Sequence, residues 1–441
     1  MSRKSPRPVR TRLNSRPGSR PAPRPGAPRL RAAAAGLAAC LVVGLAPGSL
    51  PAASAADPGS GTSAEGVPAG VAAGRGDGRA TVKLRLQGRG YGHGRGLSQW
   101  GAQGAAVQGE SWRSIVRFYY PRTKLGSIGG KVSVWISGDS DRNTVVRTVR
   151  GLTARSLSSG RTIALTGKRP NAVAWRLRWA KGGSTEVAYR LRGGQWTRLR
   201  LLPGEVELSA RKPIPLVTPG GTTRYRGTLR STAENEGGRR RVTVNVLPLE
   251  KYLRGVVPSE VYTSWDADAI RAQAVAARTY AAFERSEPLS RAYQICDTTQ
   301  CQVYGGADAE HPATDAAIKA TGKVAVVRGG EPIFAQFSAS NGGWTQGSSL
   351  PYQVDQRDPW DRWSGNPYNS WEVSFTGPEL RSAFPGIGAI KRVKILARDG
   401  NGAWGGRVTS VRVVGGTGSR TMTGDDFRYL LGMRSTWFRK I

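Results

Sequence analysis

Few side chains in this sequence are equipped for catalysis. The chain has two imidazoles, His93 and His311, and neither lies near a nucleophile elbow. A zinc hydrolase wants about three protein ligands plus a water, so the imidazoles are too few. No metal and no cofactor are expected. The run Gly88-x-Gly90-x-Gly92-x-Gly94 lacks the Lys-Ser/Thr ending of a phosphate loop. Carboxylates remain. A carboxyl that stays protonated near neutral pH can protonate the oxygen leaving a glycosidic bond. It needs an apolar, partly desolvated site to do so. Glu260 has such neighbours in Gly255-Val256-Val257-Pro258-Ser259-Glu260-Val261-Tyr262. It also falls just before the strongest helix signal of the chain, and a helix N-terminus lowers a carboxyl pKa. On these residues alone, Glu260 reads equally as a catalytic acid or as an N-terminal helix carboxylate.

That helix is expected over Asp266 to Phe283. It is alanine-dense, with Asp266 and Asp268 in its first turn and Ile270, Ala274, Ala277 and Ala281 as one apolar stripe. Arg278 on it reads as an ion-pair residue of the scaffold. Further helices are expected over Leu97–Gln108, over Trp112–Tyr119 behind a Ser111 cap, over Pro312 to about Thr321, and from about Gly424 onwards. Val82–Gln87 alternates like a strand. So do Lys131–Ser137, Val173–Trp179 and Arg240–Val246, in a region that is nearly all strand between Gly- and Ser-rich turns. Short strands are expected again at Lys323–Arg328, Ile333–Phe337, Lys391–Ala397 and Arg407–Val414. The fold class is therefore α+β: mixed, mainly antiparallel sheets, an Ala-rich helix carrying the site, and a β-rich inserted subdomain.

The N-terminus has a separate character. Residues 1–31 carry ten basic side chains and no acidic one, ahead of an uncharged apolar run, Ala32 to Ala46, and the small-residue stretch Ala53-Ser54-Ala55. This is the pattern of a signal peptide over 1–55, followed by a flexible linker over 56–80. Leu37-Ala38-Ala39-Cys40 also has the form of a lipoprotein box, but the apolar run continues past Cys40. Export leaves Cys296 and Cys301, with four residues between them, in an oxidising compartment. A disulfide is favoured over zinc there on ligand count.

Several blocks resemble one family. Lys251-Tyr-Leu-Arg-Gly-Val-Val-Pro-Ser-Glu260, Trp265 and Ala272-Gln-Ala-Val-Ala-Ala-Arg-Thr-Tyr280 resemble the hallmark of stage II sporulation protein D and amidase-enhancer domains. Cys301-Gln-Val-Tyr-Gly-Gly306, Phe337-Ser-Ala-Ser-Asn-Gly-Gly-Trp-Thr345, Pro351-Tyr-Gln-Val354 with Asn366-Pro367, and the Phe427 to Phe438 tail continue it in order over about 240–441. The resemblance implies a secreted lytic transglycosylase of peptidoglycan, with Glu260 as the acid and the C6 hydroxyl of the sugar attacking to leave a 1,6-anhydro end. The second activity it implies is non-catalytic: a wall-binding enhancer of an amidase. Gly90-Tyr-Gly-His-Gly-Arg-Gly-Leu-Ser-Gln-Trp-Gly-Ala102 with Phe118-Tyr-Tyr-Pro121 resembles the block that closes this domain, yet here it comes first. Residues 82–125 are therefore expected to fold back on a 240–441 catalytic unit and complete the cleft, with a β-rich subdomain at 126–239 between them. His93, Ser98, Gln99, Gln273, Tyr280, Gln302, Tyr304, Ser340 and Asn341 are candidates to line the groove. Asp355, Asp358 and Asp361 would be the carboxylates of a hydrolase instead.

Charge points to the partner class. The chain carries a net +36, of which +26 remains beyond the leader. A balance this basic implies an anionic partner. For an exported chain the wall fits: glycan strands, anionic wall polymers and a wall amidase. Nucleic acid does not fit, because export separates the two. No stretch reaches the ~18 apolar residues of a transmembrane helix.

Overall fold

The computed structural model describes residues 82–234 and 241–441. The expected signal peptide and linker, with Cys40, lie outside the described residues. The described chain folds as α+β. Among the described residues, eight helices are α1 Gln99–Val107, α2 Trp112–Tyr119, α3 Leu165–Lys168, α4 Leu249–Glu260, α5 Ala267–Ser286, α6 Pro312–Ala320, α7 Gly377–Ala383 and α8 Gly424–Leu430. None is long and apolar enough to cross a membrane.

Helix α5 is the axis of the molecule. Asp266 caps it, its side chain accepting the Asp268 N–H at 2.8 Å. Fourteen of its twenty residues are buried, so it is enclosed rather than amphipathic. Alanine makes that possible, because small side chains let neighbours approach from every side. Ile270, Ala274, Ala277 and Ala281 face a core shared with α4 and a large sheet. Ala269, Ala272, Val275 and Ala276 face a second core built with Leu97, Ile115, Val116, Tyr119 and Tyr120. Residues 97–120 therefore pack directly on α5. Arg278 is wholly buried in this helix and forms a two-pronged ion pair with Glu250 on α4, at 2.8 and 2.9 Å. Of its remaining N–H groups, one on Nη1 donates to the Val324 carbonyl at 3.1 Å and one on Nη2 to the Ile318 carbonyl at 3.3 Å.

The seven-stranded sheet runs in the order Ile295–Cys296, Lys131–Trp135, Arg241–Pro248, Thr228–Ala233, Val206–Ser209, Thr153–Ser156, Thr162–Ala164. It crosses the boundary expected at 239/240. Arg241–Pro248 pairs on one side with Lys131–Trp135 and on the other with Thr228–Ala233. The β-rich region thus shares a sheet and a core with α4 and α5. A six-stranded sheet follows the order Trp196–Pro203, Ser184–Arg190, Ala174–Ala180, Asn143–Arg147, Ile214–Thr218, Gly221–Tyr225.

Val82–Gly88 lies between Trp371–Thr376 and Phe438–Lys440, antiparallel to both. Leu97–Ser98 adds a short parallel pair with Phe337–Ser338. The strand expected over Ile333–Phe337 is mostly irregular. There Ala335 N–H donates to Ile333 and Gln336 N–H to Phe334, closing tight turns, while the Gln336 carbonyl accepts from Leu97 and the Tyr120 hydroxyl.

Candidate active site

Glu260 is the last residue of α4, not a residue leading into α5. Pro258 sits in the final turn, and a proline there cannot carry the helix further. The local field is therefore the reverse of that expected from sequence. A helix C-terminus is partially negative and favours the protonated carboxyl. The side chain is half-buried. Its Oε1 accepts the Val303 N–H at 3.0 Å. Burial raises the Glu260 pKa to about 7, against the opposing pull of the Val303 N–H and the Gln99 amide. None of these groups is a second carboxylate.

The loop carrying Val303 is pinned from both sides. Cys296 and Cys301 form a disulfide, with Cα atoms 5.5 Å apart. Gln302 is fully buried; its Oε1 accepts from the Tyr252 hydroxyl at 3.2 Å and its Nε2 donates to the Ala277 carbonyl at 3.2 Å. Tyr304 is buried and donates to Asn245 Oδ1 at 2.8 Å. Gln302 and Tyr304, expected as groove residues, instead fix the backbone that holds Glu260. Tyr280 on α5 hydrogen-bonds the Glu284 carboxyl; burial first, and then Glu284, hold the phenol protonated. Gln273, also on α5, is buried with neither amide atom hydrogen-bonded.

The second wall comes from residues 82–125. Gln99 opens α1 and is buried beside Glu260. Ser98 caps α1 through the Gly101 N–H at 3.2 Å, and its hydroxyl donates to Asp361. Asp361 also accepts from Ser340 at 2.8 Å and from the N–H groups of Asn341 and Gly342. Asp358 accepts from the Tyr119 hydroxyl at 2.6 Å and from Asn341 Nδ2 at 2.7 Å. Ser98, Ser340, Asn341, Asp358 and Asp361 are all buried. A covered side chain cannot touch a sugar, so Ser98, Ser340 and Asn341 do not line the groove, and Asp358 and Asp361 are not open to act as hydrolase carboxylates. They lock the 338–343 and 358–361 loops to α1. Asp355 is tied to the Gly347 N–H and to Asn401.

His93 is also corrected. Its flanking glycines make room for protein rather than a ligand. A Cβ on Gly92 would lie 2.5 Å from that of Ser338, and one on Gly94 would lie 2.3 Å from the Arg407 guanidinium. The imidazole Nδ1 accepts the Arg95 N–H at 2.9 Å. Burial, with Arg95 and Arg407 nearby, lowers its pKa to about 3. An NMR titration between about pH 5 and 8 should therefore leave the His93 ring unshifted, where an unperturbed histidine changes charge. A titrating His93, which is partly exposed, would reopen an acid–base role.

Aromatic residues complete the site, and they were missed as a group. Trp100 follows Gln99, and Tyr262 and Trp265 follow Glu260. The Trp100 ring lies 4.8 Å from Trp265, 5.8 Å from Tyr262, 6.1 Å from Trp363 and 6.3 Å from Tyr368. Trp363 Nε1 donates to the Trp100 carbonyl at 3.1 Å. All five rings are partly exposed. They come from three distant segments, so no local spacing reveals them. The signal was adjacency alone: an aromatic residue beside each polar residue that reaches Glu260.

Comparison with known proteins then bears on this geometry. Residues 238–327 match the family described as Stage II sporulation protein. This span holds α4, Glu260, α5 and the disulfide loop. Over that span the chain is similar to the stage II sporulation protein family. It is 34% identical over 134 residues to an amidase enhancer of Bacillus subtilis, covering 29% of this chain and 17% of that protein. It is 28% identical over 222 residues to the stage II sporulation protein D of the same organism, covering 44% of this chain and 61% of that protein. An uncharacterized protein of Brachyspira hyodysenteriae is 35% identical over 118 residues, a quarter of this chain and 32% of that protein. The chain thus spans less than two thirds of these relatives. The family span contributes Glu260, while Gln99 and Trp100 lie outside it.

Proposed function

We propose that this protein is a cell-wall lytic transglycosylase that cleaves the bond between N-acetylmuramic acid and N-acetylglucosamine, with Glu260 as general acid. The observation that carries it is a half-buried carboxyl at a helix C-terminus, raised to about 7, with partly exposed aromatic rings on neighbouring residues. Such a group delivers a proton to a leaving oxygen at neutral pH. Aromatic faces stack on the apolar faces of sugar rings. Attack by the sugar's own hydroxyl, which leaves the 1,6-anhydro end, needs no second carboxylate as nucleophile. Asp358 and Asp361 are spent on loop contacts. Export to the wall, through the leader read over 1–55, belongs to the same proposal.

Mass spectrometry of purified glycan strands, with and without stem peptides, tests it. Anhydro-ended fragments are the expected product. Reducing ends without anhydro sugar would make it a hydrolase. A relative named an amidase enhancer motivates one other reading, in which the groove holds glycan for a partner amidase. Bound, uncut glycan would favour that one.

The aromatic wall yields its own prediction. Trp100→Ala should raise KM for glycan about 2–10-fold, the worth of a lost stacking contact, with a smaller change in kcat. A loss confined to kcat would remove Trp100 from the glycan subsite.

A further inference from the structure

The six-stranded sheet turns one face to the core, and its register assigns the sides. Val146 stands opposite Trp175 and Thr144 opposite Leu177, all four buried. The alternate rows point outward. In one of them Arg147, Ala174, Arg190 and Trp196 follow each other across four strands. In the next, Val145, Arg176, Ala188 and Arg198 do. Arg178 and Glu186 share a third. The outer face of these strands thus gathers five arginines against one carboxylate. Glu186 is already taken, by Arg176 at 3.2 Å and Arg178 at 3.1 Å.

At one end of this face lies a concave site of about 560 Å³, lined by Arg147, Arg190, Arg192, Val173, Leu191 and the Gly193–Gly194 turn. Among the described residues, no carboxylate pairs with Arg147, Arg190 or Arg192. Val173 and Leu191 are 43% and 45% exposed. Three arginines lining one concavity without a carboxylate partner repel one another and draw in an anion. Their planar forks match phosphate oxygens in pairs. The two aliphatic side chains suit methylene groups beside the charge.

We propose that this concavity binds a phosphate and its flanking polyol in a phosphodiester-linked polyanion. A nucleic acid would stack its bases on open aromatic faces. Here the Trp196 ring already carries two guanidiniums, Arg176 at 4.8 Å and Arg190 at 5.0 Å from its centre. The site contains none of the residues around Glu260, so it stands apart from the catalytic proposal.

Titration of the full chain with a synthetic poly(glycerol phosphate) oligomer tests it. Replacing Arg147, Arg190 and Arg192 together by Gln should weaken binding at least about tenfold. Replacing Arg150, Arg155 and Arg161 by Gln removes the same charge from exposed positions elsewhere and should weaken it by no more than about twofold. Arg147→Lys, Arg190→Lys and Arg192→Lys together keep charge and fold, and should still weaken binding because an ammonium lacks the paired donors. Equal losses in the two Gln triples, or no binding by the parent chain, would overturn the site. Tighter binding of single-stranded DNA with the same number of phosphates would reassign it to nucleic acid. Cleavage of short soluble glycan should be the same in the parent chain and the site triple, whichever way the Glu260 proposal falls.

Discussion

Glu260→Gln should lower glycan cleavage by about 10²–10⁴-fold, the usual contribution of a positioned general acid. The amide keeps the shape of the side chain and removes the proton. The parent activity should follow the protonated carboxyl: level below about pH 7 and falling as pH rises through that value, since burial raises Glu260 to about 7. Stability gives an independent readout. The folded chain holds this proton more tightly than the unfolded chain, whose carboxyl has an ordinary value of 4.5. The associated stability is complete below that value and is lost as pH rises towards 7. The Gln variant carries no charge to bury, so at pH 8 it should melt no lower than the parent. A dead variant that also melts lower would indicate a damaged fold rather than a missing acid. Full activity in the variant would end the transglycosylase proposal.

Glu250→Ala should destabilise the protein by about 3–5 kcal/mol, which is the scale for leaving one member of a buried pair uncompensated. Arg278 has no exposed surface, and Glu250 meets it through two hydrogen bonds. The alanine leaves a guanidinium inside α5 with only carbonyls and a threonine hydroxyl around it. Denaturant unfolding measures the loss. Glu250→Ala with Arg278→Met should recover part of it, because an apolar side chain of similar length needs no counter-ion. If the single variant cost under about 1 kcal/mol, the level of a surface pair, the ion pair would not be what joins α4 to α5.

Much of the scaffold was legible because its signals are local. The Ser111 cap fixed the start of α2, and Asp266 that of α5. Alternation revealed Val82–Gly88 and Arg241–Pro248 within a residue or two. Helix α4 was not read as a helix. Gly255, the Val256-Val257 pair and Pro258 all argue against one, and tertiary burial of Tyr252, Leu253, Val256 and Val257 overrides them. That omission reversed the field expected at Glu260. The polar candidates were found by type, but type does not give exposure. Ser98, Ser340 and Asn341 looked like groups for N-acetyl contacts and proved to be buried partners of Asp358 and Asp361. Which loops meet is set by pairings as distant in sequence as Tyr91 and Ser340, which no local pattern encodes.

The strand Val82–Gly88 has a consequence in time. Its neighbour Phe438–Lys440 lies more than three hundred residues further along the chain. Gln99 and Trp100 emerge early and must wait for Glu260, then for Trp363 and Tyr368. Such distant pairings form slowly, because the loop must close before the contact pays. Glu260 therefore gains its full set of aromatic neighbours only after Tyr368 has been made. A site assembled in that order stays incomplete through most of the described chain's synthesis.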